Sequence, residues 1–173
     1  VMSMSGVLLT ALATFVGRDW YRGLAVGWDT LLWGVAIAVL LWGAFFVGDK
    51  LSQLLFGFAR EQVDAIYGMK EGESPIVVGL LLLLVIGPAE EVFWRGYLQK
   101  ALAVGLGADR GFLLTLALYT LVHVWSFNFM LILAAMVCGA AWGLLYRLKP
   151  DHLPALILSH ALWDVAAFVV FPF

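Results

Sequence analysis

Long apolar runs separated by short polar stretches dominate this sequence of 173 residues. A helix that crosses a membrane needs about 20 mostly apolar residues to cover roughly 30 Å of hydrocarbon. The runs that meet or approach that length predict spans at Leu31–Val47, Ile76–Leu102, Phe112–Val124, Phe129–Tyr146 and Leu153–Phe171. We therefore expect an all-α fold, a polytopic transmembrane helix bundle with about five spanning helices.

Two further segments carry apolar residues but are not expected to cross the membrane. Val7–Val16 is too short, so it predicts a truncated or interfacial helix. Lys50–Met69 places Leu51, Leu54 and Phe58 at helical spacing, with polar residues between them. This pattern predicts an amphipathic helix at the membrane surface. No internal repeat interrupts the pattern, so we treat residues 1–173 as a single transmembrane domain.

The composition agrees with a membrane protein and limits the partners. Hydrophobic residues make up 64% of the chain, whereas soluble domains have roughly 45–50% apolar residues. Membrane lipid is therefore an expected partner. The formal net charge of −2 gives no reason to expect a nucleic-acid partner.

The basic residues of the loops predict the orientation of the chain. With a cytoplasmic N-terminus, six basic residues face the cytoplasm and three face outward, counting only residues outside the spans. The positive-inside rule favours this arrangement. We expect a multi-pass integral protein of a bacterial or archaeal cell membrane. The inward-facing residues would be Arg18, Arg22, Lys100, Arg110, Arg147 and Lys149, and the outward-facing ones Lys50, Arg60 and Lys70.

Several small or potentially reactive residues are more simply explained by packing. Gly139 and Gly143 form a small-xxx-small pair, which predicts close helix packing. Cys138 has no adjacent base in the sequence and also predicts a packing role. Ser126 and Ser159 lack the context of a nucleophilic serine.

The second predicted span carries charges that are costly in lipid. The phrase PAEEVFWRG contains Glu90, Glu91 and Arg95, and charged groups at the centre of a spanning helix are rare unless they face protein or water. Glu91 and Arg95, at i and i+4, share one helix face and can pair. Glu90 points about 100° away and remains free for another task. The alternative is that these charges lie at the end of the helix and extend to the headgroups.

Two histidines lie in other predicted spans. His123 ends the third span, and His160 lies in the last span one turn before Asp164. The Asp164 carboxyl can therefore orient or charge-balance the His160 imidazole. Alone, each histidine would be interpreted as a packing residue. Together with the glutamates and the arginine, they predict a functional site built from three helices.

Two chemistries fit this set of side chains. A carboxylate and an imidazole can deprotonate a water that attacks an amide carbonyl, and a second imidazole can stabilise the oxyanion. Alternatively, a divalent metal such as zinc would be held by Glu90, His123 and His160, with an open position for water. No HExxH motif is present, so such a site would be assembled across helices. Cofactors are thus either none or a divalent metal.

These residues resemble the CPBP family, which contains the CAAX prenyl proteases of the Rce1 type and bacterial bacteriocin-processing and self-immunity proteins. Glu90, Glu91 and Arg95 match its EExxxR motif in full. The FxxxH motif matches at His123, but Tyr119 occupies the aromatic position.

The third motif of the family, HxxxN or a variant, matches at His160 with Asp164 in place of the asparagine. The resemblance covers about 75–171, which would be the catalytic core. An ionised aspartate would repel an oxyanion, whereas an asparagine would donate to it. A buried aspartate can stay protonated, because burial disfavours the charged form. Otherwise it would be a partner of His160 or a metal ligand, which slightly favours the metal alternative.

What the resemblance implies is proteolysis within the membrane. By analogy Glu90 and His123 activate water, and His160 and Asp164 bind the oxyanion. Glu91 and Arg95 would support them. The family has been classed both as metalloproteases and as glutamate-dependent proteases, so both mechanisms stay open. The implied substrate is a peptide or a lipidated protein, cleaved near its C-terminus or in a leader segment.

Two other functions compete with the peptidase. A catalytically idle member of the family could bind a peptide or act in immunity or as a scaffold. A transporter could use the glutamates and histidines as a proton relay, but no inverted repeat is evident.

A simple up-and-down arrangement of the spans raises a difficulty for the peptidase site, because it places His123 near the outer end of its span and Glu90 deep in the membrane.

Overall fold

The computed structural model of the protein describes residues 26–173. The short helix predicted at Val7–Val16 lies outside them, as do Arg18 and Arg22. The described residues form helices and connecting turns and no strands, which confirms the all-α prediction. We number the helices α1 Trp28–Leu55, α2 Ala59–Gly68, α3 Pro75–Leu106, α4 Ala108–Val122, α5 Phe129–Leu148 and α6 Pro150–Val170.

Four of these helices are long and apolar enough to cross a membrane. They are α1, α3, α5 and α6, with 28, 32, 20 and 21 residues. Helix α4, the predicted third span, has only 15 residues. At 1.5 Å per residue it is about 22 Å long, less than the roughly 30 Å of a bilayer core. The multi-pass architecture is thus confirmed, while α4 is shorter than a full crossing.

The amphipathic segment differs from the prediction of one helix over Lys50–Met69. Its first residues continue α1 to Leu55, and a separate helix α2 begins at Ala59. The break lies at Phe56, whose backbone is extended and whose ring packs edge-on to Phe129 at 5.7 Å. This bend returns the chain towards α5.

Side-chain hydrogen bonds attach α2 to the start of α5. Asn128 Nδ2 donates to the Gln62 carbonyl at 2.7 Å, and Met130 N donates to Gln62 Oε1 at 3.0 Å. Asn128 also caps α5 by accepting from Leu131 N at 2.9 Å. Helix α2 therefore fixes the segment that follows α4.

Helix α3 remains helical through the Gly87–Pro88 pair. The segment Gly87–Glu91 is flanked by π-helical turns at Leu82–Ile86 and Val92–Gln99. Proline has no N–H to donate, and a π turn is one way to absorb the missing hydrogen bond without ending a helix. The turns lie on both sides of the two glutamates, where π-bulges often mark functional sites.

The core lies where α5 and α6 meet α1. Trp142, Leu153 and Leu156 are fully enclosed there, and Cys138 packs among them. The predicted packing role of Cys138 is confirmed.

Glycines on α5 let α4 come close. A Cβ atom on Gly139 would lie 2.8 Å from Tyr119 Cδ1, and one on Gly143 would lie 3.1 Å from Phe112 Cδ2. Real Cβ atoms essentially never approach a neighbour below 3.0 Å. The predicted close packing at this small-xxx-small pair is therefore confirmed.

Candidate active site

Glu91 lies at the centre of the buried polar groups. Its side chain is 0% exposed, and that of Arg95 is 1% exposed. Arg95 Nη1 donates to Glu91 Oε1 at 2.8 Å, so the predicted i,i+4 pair is formed. The same oxygen accepts from His160 Nδ1 at 2.8 Å. Glu91 and Arg95 therefore face the protein interior, and the alternative that they extend to the headgroups is wrong for both.

Arg95 is held by several groups besides Glu91. Its Nη2 donates to the Gly139 carbonyl at 3.3 Å. Its guanidinium lies 4.9 Å from the centre of the Tyr119 ring and 5.8 Å from that of Trp142. A buried ion pair is tolerated only when further hydrogen bonds and favourable contacts offset the loss of water. These contacts place the cation between α3, α4 and α5.

His160 is buried between Glu91 and Asp164. Its ring stacks on Trp142, with centroids 3.9 Å apart and 16° between planes, and Trp142 Nε1 donates to Ser159 Oγ at 3.0 Å. Because the Glu91 carboxylate is an acceptor, His160 Nδ1 carries the hydrogen. Its Nε2 lies 3.6 Å from Asp164 Oδ2, too long for a hydrogen bond but within ion-pair range.

A close helix contact brings Glu91 and His160 together. A Cβ atom on Gly87 would lie 2.8 Å from the Cα of Ala161. The backbones of α3 and α6 therefore touch one turn before Glu91 and one residue after His160. Only glycine permits this approach without moving a helix.

Glu90 points to a different helix from Glu91, as their angular separation predicts. Tyr119 of α4 donates its hydroxyl hydrogen to Glu90 Oε2 at 3.0 Å. Glu90 is half-buried, whereas Tyr119 is buried. One glutamate of the pair is thus connected to α4 and the other to α6.

His123 lies one turn after Tyr119, at the C-terminal end of α4. Its Nδ1 is 2.7 Å from the Tyr119 carbonyl oxygen, and a carbonyl can only accept, so Nδ1 carries the hydrogen. In the neutral imidazole the lone pair is then on Nε2, which is free to accept a proton or a ligand. Tyr119 thus contacts Glu90 through its hydroxyl and His123 through its backbone carbonyl.

Comparison with protein families gives a match over residues 72–166, to the family described as type II CAAX prenyl endopeptidase Rce1-like. The match covers 95 of the 173 residues, more than half of the chain. The chain belongs to the Rce1-like family. A search of curated proteins and a search of solved structures each gave no significant match.

Membership in the Rce1-like family supports an integral membrane protease. The family is one of proteases, and the helices of this member are long and apolar enough for a membrane. The matched range contains all six candidate site residues, namely Glu90, Glu91, Arg95, His123, His160 and Asp164. The structure connects them through helices α3, α4 and α6, with the Gly139 carbonyl and Trp142 contributed by α5.

The proposed metal ligands do not form a ligand group in this Rce1-like chain. Within residues 26–173, no three or more histidine, cysteine, aspartate or glutamate side chains are placed so that they could hold a metal ion. The set of Glu90, His123 and His160 therefore does not fit a zinc ion, and we derive no step through one.

Sequence reasoning missed two residues that complete the site. Trp142 supplies the surface on which His160 stacks, and the Tyr119 hydroxyl reaches Glu90. The phenol of Tyr119 could have indicated a polar contact, because buried tyrosine hydroxyls usually find a hydrogen-bond partner. Nothing in the sequence distinguishes Trp142 from the other tryptophans.

An open cleft lies elsewhere in the molecule. It has a volume of about 550 Å³ and lies between α2, the turn before α3 and the C-terminal end of α6. Arg60, Tyr67, Lys70 and Phe168 are among its lining residues, and none of the six candidate site residues is. The chemistry-bearing groups and this cleft are therefore separate features.

Proposed function

We propose that this protein is an intramembrane endopeptidase of the CAAX-protease type. It hydrolyses a peptide bond near the C-terminus, or in a leader, of a small membrane-associated protein. One observation carries the proposal: two adjacent residues of α3 connect it to two other helices. Glu90 contacts α4, and Glu91 contacts α6. We call this the junction of the three helices. This junction supports the proposal because it involves residues from all three family motifs.

Glu90 and His123 are the groups we assign to water activation. Glu90 is only half-buried, and His123 has its Nε2 lone pair available. As the oxygen of a water attacks the scissile carbonyl carbon, Glu90 accepts its proton. The proton then passes to the amide nitrogen as the C–N bond breaks, which gives a carboxylic acid and an amine. His123 orients the water through Nε2.

His160 is the group we assign to the oxyanion, and Asp164 is its charge partner. His160, as an imidazolium, donates from Nε2 to the developing negative charge. Glu91 at Nδ1 and Asp164 near Nε2 balance its positive charge. In this scheme the third motif has aspartate in place of asparagine because Asp164 is a charge partner of His160.

Glu91 and Arg95 are supporting residues in this scheme. Both are buried and paired with each other, and we assign neither a contact with the substrate. Glu91 fixes the tautomer and the orientation of His160, and Arg95 prevents the Glu91 carboxylate from being an unpaired buried charge.

The test is cleavage by the purified protein in liposomes. The probes are two fluorogenic peptides that end in a Cys-aliphatic-aliphatic-X sequence, one prenylated on the cysteine and one unmodified. Glu90→Gln and His123→Ala should each abolish cleavage without unfolding the protein. Glu61→Gln is the matched control, because Glu61 is an exposed glutamate of α2 outside the site. If the peptides bind to the wild-type protein and neither is cleaved, the idle, peptide-binding member of the family is favoured.

A further inference from the structure

Tyr119 occupies the position at which the family's FxxxH motif has phenylalanine, and we infer that its hydroxyl positions the Glu90 carboxylate of the water-activating pair. The inference rests on the proposed function of Glu90 and His123. Tyr119 fixes the direction of the Glu90 carboxylate through the tyrosine hydroxyl. It fixes the direction of the His123 imidazole through the tyrosine backbone carbonyl. A phenylalanine would keep the second contact and lose the first.

The two contacts of Tyr119 are short and involve different atoms. Its hydroxyl donates to Glu90 Oε2 at 3.0 Å, and its carbonyl oxygen is 2.7 Å from His123 Nδ1. The tyrosine and histidine rings are also 5.1 Å apart and tilted by 58°. One residue thus sets the relative positions of two side chains on different helices.

The ring of Tyr119 is itself held firmly, so its hydroxyl has a defined position. Trp94 packs edge-on to it at 5.1 Å, and the Arg95 guanidinium lies over it at 4.9 Å. On the α5 side, a Cβ atom on Gly139 would come within 2.8 Å of the ring. The ring would keep these contacts in a phenylalanine variant, so the substitution removes only the hydroxyl.

The hydrogen bond makes the two oxygens of Glu90 different. Oε2 accepts from Tyr119, while Oε1 takes no part in this bond. A carboxylate with one oxygen held presents the other in a fixed direction, and a fixed direction lowers the entropy cost of aligning the water. Tyr119 therefore acts through Glu90 and does not touch the reacting atoms.

Steady-state kinetics of Tyr119→Phe in liposomes test this role. We expect kcat to fall about tenfold while KM is unchanged. The matched control is Tyr67→Phe, which removes a tyrosine hydroxyl that donates to the Ala167 carbonyl and accepts from Phe173 N, each at 3.1 Å, and bonds to none of the six candidate residues. The control should keep the wild-type kcat. A wild-type kcat in Tyr119→Phe overturns the inference even when Glu90→Gln is inactive, so its failure is distinguishable from failure of the proposed function.

A spectroscopic measurement tests the contact without any substrate. The carboxylate stretching band of Glu90 can be assigned in infrared difference spectra by its loss in Glu90→Gln. This band should shift in Tyr119→Phe and stay in place in Tyr67→Phe. An unshifted band in Tyr119→Phe would show that the hydroxyl does not hold Glu90, and would overturn the inference whatever the activity of the protein.

Discussion

His160 Nδ1 and Arg95 Nη1 donate to the same oxygen of Glu91, each at 2.8 Å. Arg95 is one helical turn from Glu91, but His160 is 69 positions away along the chain. The shared oxygen therefore connects two motifs of the Rce1-like family and fixes α3 against α6. The other oxygen of Glu91 is buried without a hydrogen-bond partner in the described residues, so the carboxylate is held from one side.

Glu91→Ala should strongly destabilise the protein. Removing one partner of a buried ion pair leaves the other as an unpaired charge, at a cost of about 3–5 kcal/mol. The exposed pair of Arg60 and Asp64 has the same i,i+4 spacing, with an N–O distance of 2.7 Å. Asp64→Ala should cost at most about 1 kcal/mol. Denaturant unfolding in detergent measures both, and equal losses in the two variants would contradict the central role of Glu91.

Gly87→Ala should separate α3 from α6. The new methyl group would meet the Ala161 backbone at 2.8 Å, and overpacking of this kind typically costs about 1–3 kcal/mol. Cleavage should fall as well, because the contact between Glu91 and His160 depends on this approach. Gly105→Ala is the control on the same helix, since nothing lies within 4 Å of its added Cβ. Wild-type stability and activity in Gly87→Ala would show that the helices can move apart freely at this point.

The sequence predicted the local parts of the site and missed the contacts between helices. Spacing of i and i+4 was enough to pair Glu91 with Arg95 and to place His160 beside Asp164. The contacts from Glu91 to His160 and from Tyr119 to Glu90 depend on how α3, α4 and α6 pack. A hydrophobic pattern predicts which face of a helix is buried but not which other helix packs against that face.

The fold shows the same division between local and tertiary information. Apolar length predicted the four long helices, since crossing a membrane depends on length and composition. Helical spacing continued past Phe56, so the break between α1 and α2 was not foreseen. That break depends on ring packing with Phe129, a residue far along the chain.

Removal of divalent metals should leave cleavage intact. The described residues offer no group of three or more suitable side chains for a metal ion, and the proposed steps use only Glu90, His123, His160 and Asp164. The purified protein would be dialysed against a strong chelator, checked for residual zinc by mass spectrometry and assayed in metal-free buffer. Activity that is lost on chelation and restored by zinc would contradict the glutamate mechanism.

Asp164→Asn should keep the protein active. An amide at this position can donate to the oxyanion directly, as the family's asparagine would, and it remains beside His160. Asp164→Ala removes the charge partner and supplies no donor, and its kcat should fall by about 100-fold. Liposome kinetics of the two variants check this, with unfolding measured in parallel. An asparagine variant as inactive as the alanine variant would show that the negative charge itself is required.

In the proposed function, Glu90 and the helices α3, α4 and α6 form a working peptidase site. The most direct test compares cleavage of the two Cys-aliphatic-aliphatic-X peptides by the wild-type protein and by Glu90→Gln in liposomes. The proposed function predicts cleavage by the wild type, one new C-terminus in mass spectra, and no product with folded Glu90→Gln. Cleavage by Glu90→Gln at the wild-type rate would contradict it.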